Sequence, residues 1–167
     1  MKYEYWLSCI RPLAGKKKEL LRSSVGSARD VYYIEEKKLR EMAFLTEKDR
    51  ETIRNFQKKG DLETEYDRLL EHGIRLVTCH DPAYPRRLKR SAGYPYALFV
   101  KGRLPDDDRL SVAIVGARQC SAYGERQALR FAEYLAGRGV QIISGMARGI
   151  DGAAGRGAIM EGATHML

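Results

Sequence analysis

Two blocks decide how this chain folds: Val112-Ala113-Ile114-Val115-Gly116-Ala117-Arg118, and Val140-Gln141-Ile142-Ile143-Ser144-Gly145-Met146-Ala147-Arg148-Gly149-Ile150-Asp151. Each opens with a short apolar, largely β-branched run and breaks at small residues. Such a run reads as a buried strand delivered into a loop. A helical stretch lies between them, from about Gly124 to Ala136, and another runs from about Asp151 to Met160. Strand, helix, strand, helix in that order predicts a parallel sheet with crossover helices. The unbroken apolar character of the strands predicts a sheet covered on both faces. Ala163-Thr164-His165-Met166-Leu167 reads as the start of a further strand, so the expected sheet is partial, as if truncated at its C-terminal end.

Working upstream, Ile74-Arg75-Leu76-Val77-Thr78 is a short strand after a glycine stop at Gly73, and Tyr96 to Val100 is another. The turn-rich His80-Asp81-Pro82-Ala83-Tyr84-Pro85 lies between them, and a polar connector follows from Arg103 to Asp108. Before Gly73 the period is helical. Tyr3, Trp6, Leu7 and Ile10 recur at i, i+3, i+4 and i+7. Leu20, Leu21 and Val25, then Leu39, Met42 and Leu45, then Ile53 and Phe56, then Leu62, Tyr66, Leu69 and Leu70 continue the theme through four or five helices. Val31 to Ile34 has strand character by itself but sits within the helical spacing. Thr46 followed by Asp49 reads as a helix start, the hydroxyl capping a backbone N–H and the carboxylate facing the positive end. The predicted class is α/β, with a small helical domain over residues 1–73 and a sheet domain over 74–167.

Composition is that of an ordinary soluble globular protein, 44% hydrophobic and 31% charged. No apolar run approaches the roughly 20 residues that span a bilayer, and residues 1–13 lack the apolar core of a signal peptide; a cytoplasmic protein with no membrane partner is expected. Cys9, Cys79 and Cys120 are far apart and show no metal-site spacing, so they read as reduced structural thiols. The net charge of +8 suits a polyanionic partner, although a merely basic surface explains it equally well. Residues 1–75 carry 17 Lys and Arg against 14 Asp and Glu, and residues 76–167 carry 13 against 8, mostly arginine. That bias suits phosphate, because guanidinium presents a planar fork of donors.

The chemistry is expected in two loops. Gly116 to Gly124 leaves the first strand of the core and enters a helix, where open α/β sheets place ligands. Gly116 lets the chain turn, Arg118 offers a bidentate donor, and Ser121 and the N–H groups that open the helix at Gly124 add neutral donors. Tyr123 is either a stacking platform for a base or a core residue. The alternative for the whole loop is a plain strand-to-helix turn with a surface arginine. Ser144 to Asp151 should emerge beside it, since neighbouring parallel strands end on one edge. There Gly145 and Gly149 permit close backbone approach or positive φ, Arg148 is a second cation, and Asp151 is placed as a helix N-cap. No GxGxxG follows Val115, and no GxxxxGK[ST] occurs anywhere. No nucleophile elbow or His/Asp partner set accompanies His72, His80 or His165. Asp106-Asp107-Asp108 reads as a solvated linker rather than a metal cluster.

These blocks, together with Tyr5-Trp6-Leu7, Gly73-Ile74-Arg75, Asp81-Pro82-x-Tyr84-Pro85 and Leu88, resemble the DNA-processing protein A family, also called DprA or Smf. The resemblance implies a sterile-alpha-motif-like (SAM-like) helical domain followed by a Rossmann-like domain. It also implies single-stranded DNA binding without a cofactor or metal, help in loading the RecA recombinase during natural transformation, and a homodimer. It assigns the family's phosphate pocket to Arg118 and to Ser144, Gly145, Arg148 and Gly149. The chain departs from the family at Gly155, where a histidine is usual, and at Pro12-Leu13-Ala14-Gly15-Lys16, a poor match to a Gly-x-Gly hairpin. The expected protein is not an enzyme. A Rossmann-type enzyme acting on a nucleotide or nucleoside phosphate is the alternative, and a helical interaction module with a silent sheet is a third.

Overall fold

The structure, a computed structural model, describes residues 1–58 and 60–160. It divides into two compact units, Met1–Gly102 and Arg103–Leu167. Among the described residues no helix is long and apolar enough to cross a membrane.

The first unit contains helices α1 (Lys2–Cys9), α2 (Gly15–Val25), α3 (Ala28–Tyr32), α4 (Glu36–Glu41), α5 (Glu47–Gln57) and α6 (Leu62–Glu71). Strand β1 (Ile74–Thr78), the single turn α7 (Arg86–Lys89) and strand β2 (Ala97–Lys101) complete it. The helical half thus resolves into six short helices rather than four or five, because polar caps interrupt it often. Ser27 starts α3 and Asp61 starts α6, each accepting backbone N–H groups. Thr46 and Asp49 form the expected reciprocal cap of α5: the Asp49 N–H donates to Thr46 Oγ1 at 3.2 Å, and the Thr46 N–H donates to Asp49 Oδ2 at 2.9 Å. Val31, whose neighbourhood has strand character, lies buried in α3. Leu7, Ile10, Leu21, Val31, Leu39 and Ile53 are fully buried and build the core. Trp6 joins them, its indole N–H donating to the Phe56 carbonyl at 3.1 Å.

β1 and β2 pair antiparallel, from Ile74 opposite Lys101 to Thr78 opposite Ala97. The hairpin is fastened to the helices by polar contacts. The Tyr94 hydroxyl donates to Glu19 Oε2 at 2.6 Å, and the Tyr96 hydroxyl donates to Glu4 Oε2. Burial and the adjacent Glu4 carboxylate push the Tyr96 hydroxyl far above its ordinary pKa, so it stays a donor. A Cβ on Gly15 would lie 2.9 Å from the Tyr94 carbonyl, which marks how closely α2 approaches the chain leading into β2. The limits expected from the sequence, 1–73 and 74–167, therefore differ from the compact units by this hairpin. The change of sequence character at Gly73 marks the first strand, whereas packing divides the chain at Gly102.

The second unit is strand β3 (Ser111–Ala113), helix α8 (Ala122–Ala136), strand β4 (Gln141–Ile143) and helix α9 (Ile150–Met160). β3 and β4 are parallel, with Ser111 opposite Gln141 and Ala113 opposite Ile143. The α/β class and the parallel core are as expected. Cover on both faces is not: Ala113 is exposed and Val115 is 69% exposed. One side of the strands meets α8 and α9 through Ile142 and Ile114; on the other side Ala113 and Val115 are exposed, while Gln141 is buried against the Asp106 turn. The strand expected near residues 163–167 lies outside the described residues. Ala132, Ala136, Ala154 and Ala158 meet in the core between the helices. A Cβ on Gly157 would come within 2.2 Å of the Leu129 carbonyl oxygen. Gly157, one of the glycines that weaken α9 by intrinsic propensity, is what lets it lie so close to α8. Asp106 belongs to a turn, as the linker reading supposed: its carboxylate accepts the Asp108 N–H at 3.0 Å, and its N–H donates to Gln141 Oε1 at 2.8 Å.

Candidate nucleic-acid interface

Parallel pairing brings the loop after β3 and the loop after β4 to the same edge, where their backbones interlock. The Ile150 N–H donates to the Ala117 carbonyl at 3.3 Å. Gly149 sits at φ +84°, and a Cβ there would lie 2.2 Å from the Ala117 oxygen and 2.7 Å from the Arg118 oxygen. Only glycine satisfies both the left-handed backbone and that approach. Gly116 faces the same junction from the other loop, where a Cβ would collide with Ile150 Cγ1 at 2.7 Å. Gly116, Gly149 and, through Asp151, Gly145 are thus used to fit one loop against the other.

Asp151, expected as an N-cap, is instead the second residue of α9. Its buried carboxylate reaches sideways: Oδ1 accepts the Gly116 N–H at 3.0 Å, and a Cβ on Gly145 would stand 3.0 Å from Oδ2. The correction has a simple origin. The helix begins two residues earlier than an N-cap at Asp151 requires, at Ile150, so the side chain is free to join two loops while still facing the helix's positive end. Because a carboxylate already occupies that end, α9 is poorly placed to take a second anion there. Ser144 is also internal, 4% exposed, with its hydroxyl donating to the Asp151 carbonyl at 3.3 Å.

The remaining expected residues face outward. Arg118 and Arg148 are exposed, and among the described residues neither guanidinium has a hydrogen-bond or ion-pair partner. Ser121 caps α8, its Oγ accepting the Gly124 N–H at 3.1 Å. That leaves the Ala122 and Tyr123 N–H groups without intrahelical acceptors at the positive end of α8. Tyr123 is 66% exposed, so of its two readings the core one is removed. Met146 carries a positive φ of 50°, strained backbone for a residue other than glycine, within the second loop.

Sequence reasoning missed Ile150, the apolar side chain against which both Gly116 and Gly124 pack. It also missed Arg126 and Arg130, exposed on α8 with no ion-pair partner among the described residues. Their i, i+4 spacing was the available signal. A groove of about 700 Å³ lined by Arg130, Phe131, Tyr134 and Arg138 lies farther along α8. It is away from the two loops.

Residues 75–166 match the family model described as DNA recombination-mediator protein A. Protein Smf of Escherichia coli (strain K12) is 46% identical over 84 residues, covering 50% of this chain and 22% of that protein. DNA processing protein DprA of Bacillus subtilis (strain 168) is 32% identical over 114 residues, 62% of this chain and 37% of that one. The X-ray structure of DNA processing protein A from Streptococcus pneumoniae aligns with TM-score 0.48 and 23% identity over 92% of this chain and 56% of that chain. The chain spans between about a fifth and two fifths of these two curated relatives' length. With more than half of its residues matched by that model, the chain belongs to the DNA recombination-mediator protein A family.

Proposed function

We propose that the chain binds single-stranded DNA along the edge formed by residues 116–124 and 144–151, as part of a recombination mediator rather than an enzyme. The observation that carries this reading is the pair of exposed arginines, Arg118 and Arg148, set on interlocked loops and matched to no carboxylate among the described residues. Guanidinium groups held this way suit the phosphates of an extended backbone. The α8 N-terminus adds N–H donors, and exposed Tyr123 offers a face on which a base can stack. Gly116 and Gly145 belong to the surface of this edge, whereas Gly124, Ser144 and Gly149 are partly or fully buried and support it. The sterile-alpha-motif-like and Rossmann-like descriptions of the two regions, with limits at 1–73 and 74–167, belong to the same proposal. So do loading of RecA during natural transformation and homodimer formation.

Fluorescence anisotropy of labelled oligo-dT with the 167-residue chain tests the edge. Binding should weaken as salt rises. Arg118→Ala and Arg148→Ala should each lose about tenfold, as expected for a charge-assisted contact of roughly 1.5 kcal/mol. Affinity unchanged in both variants removes the edge from the site. Preference for a mononucleotide over the oligomer would favour the enzyme alternative.

A further inference from the structure

Outside the loop edge, one cluster in the first unit combines three different metal-binding donors. A Glu19 carboxylate oxygen, Cys79 Sγ and a His80 ring nitrogen all lie within 4.8 Å of one another. Glu19 comes from α2, while Cys79 and His80 follow β1. Adjacent residues on a strand point to opposite sides, but these two have left the strand. The Asp81 N–H donates to the Thr78 carbonyl at 2.9 Å, which puts Cys79 and His80 at the centre of a turn where their side chains converge.

Each donor is held from behind. The Tyr94 hydroxyl binds Glu19 Oε2 at 2.6 Å, leaving the other carboxylate oxygen for a ligand role. The His80 ring packs edge-on against Tyr96 with centroids 6.0 Å apart. The Cys79 backbone is fixed at both ends: its N–H donates to the Tyr96 carbonyl at 2.9 Å, and its carbonyl accepts Lys89 Nζ at 2.7 Å. The Tyr94–Glu19 hydrogen bond is of the kind that orients carboxylate ligands in metal sites, while the other contacts fix the ring and backbone positions. Cys79 is 1% exposed and His80 is exposed, so the cluster has a buried floor and an open mouth.

We propose that Glu19, Cys79 and His80 bind a divalent transition metal of the zinc type, with a water in the fourth position. Thiolate, carboxylate and neutral imidazole supply the sulfur, oxygen and nitrogen donors that zinc takes, and their two negative charges balance the ion. With metal–ligand bonds of about 2.0–2.3 Å, tetrahedral donors stand roughly 3.3–3.8 Å apart, so shifts of about an ångström close the site. Binding replaces the Cys79 thiol proton, which leaves to solvent, with a sulfur–metal bond. The ion would tie α2 to the β1 turn across sixty residues of chain, a constraint that favours the folded state. No local sequence spacing announces it, because Glu19 is remote from the Cys79-His80 pair.

Cobalt(II) titration of the reduced full chain is the test. The expected result is one ion per chain, a thiolate-to-cobalt charge-transfer band, intense tetrahedral visible bands, and discharge of both by zinc. Cys79→Ser should abolish the charge-transfer band. Glu19→Gln and His80→Ala should weaken binding at least ~tenfold, since loss of even an outer-shell partner costs about 10–100-fold. Cys9→Ser and Cys120→Ser should match the parent chain. A missing charge-transfer band, a band that survives Cys79→Ser, or unchanged affinity in both Glu19→Gln and His80→Ala overturns the site. Trp6 fluorescence reports folding of each variant, and exposed His80→Ala carries the decision if Cys79→Ser unfolds.

Discussion

The two compact units hold themselves together by opposite means. In the first, large side chains fill the interior: Leu7, Ile10, Leu21, Leu39 and Ile53 are fully buried, and Trp6 is nearly so. In the second, the core is largely alanine, with Ala132, Ala136, Ala154 and Ala158 around Ile142, and Gly157 sealing the helix contact. The first unit buries its bulk while still exposing Tyr33, Leu70 and Phe99; the second keeps little bulk in its core and exposes Leu110, Val115, Phe131, Ile159 and Met160. One region is sensitive to what is removed, the other to what is added. The first draws on buried apolar area, and the second on dispersion between closely approached backbones.

Adding atoms at the helix seam should have the largest effect. Gly157→Val sets a β-branched side chain against the Leu129 backbone carbonyl. The expected loss is about 4 kcal/mol, above the roughly 1–3 kcal/mol of ordinary overpacking because main chain must move. Urea unfolding followed by circular dichroism should show it, while the fluorescence of Trp6, the single tryptophan, reports only the first unit. A fluorescence midpoint that shifts equally would show one cooperative body and erase the contrast. Removing atoms from the other core comes next. Leu7→Ala should cost about 3 kcal/mol and move the Trp6 transition, and a loss under about 1 kcal/mol would show that the helical core collapses around the gap.

Smaller changes sharpen the picture of the first unit. Thr46→Ala removes one half of the α5 cap and should cost about 1 kcal/mol by the same fluorescence assay. The other half is titratable. Burial pushes the Asp49 carboxyl upward, but hydrogen bonds from the Lys17 ammonium and from the Thr46 hydroxyl and N–H outweigh it and hold the folded value below the usual 3.8. Its contribution is therefore complete above the unfolded aspartate value and fades as pH falls through 3.8 and below. The Trp6 midpoint should drop over that interval, and Asp49→Asn should flatten the drop. A slope identical in the variant would assign the acid sensitivity elsewhere.

Much of this arrangement was legible in the residues. The Thr46 and Asp49 pair and the helical period through Ile53 and Leu62 are local patterns that local hydrogen bonds satisfy, and the two strand-to-loop blocks are local patterns too, although their strands pair with each other across thirty residues. Partnership between distant segments was less legible. Five apolar residues at Ile74–Thr78 announce a strand but not whether it joins a parallel sheet or turns back on β2. That choice depends on contacts such as Tyr94 with Glu19, 75 residues apart. At the candidate interface the outward arginines were readable, because exposed cations need no partner to be recognised. The positive φ and close approach at Gly149 were readable as well, but the partners of Gly116, Gly149 and Asp151 were not. Glycine in a loop signals freedom of the backbone, and only the fold shows that a neighbouring loop consumes it.

The interlock of those loops has a mechanical consequence. Gly149 seated on the Ala117 carbonyl, with Asp151 hooked to the Gly116 N–H, works as a dovetail joint. Neither loop slides along the other without lifting that seat. The stems of Arg118 and Arg148 therefore share a common footing, and in the proposed site the edge would act as a gauge of charge spacing rather than as two independent arms. On the proposed reading, an anion whose charges fit that gauge would be gripped at both points, and one with a single charge would meet half of it.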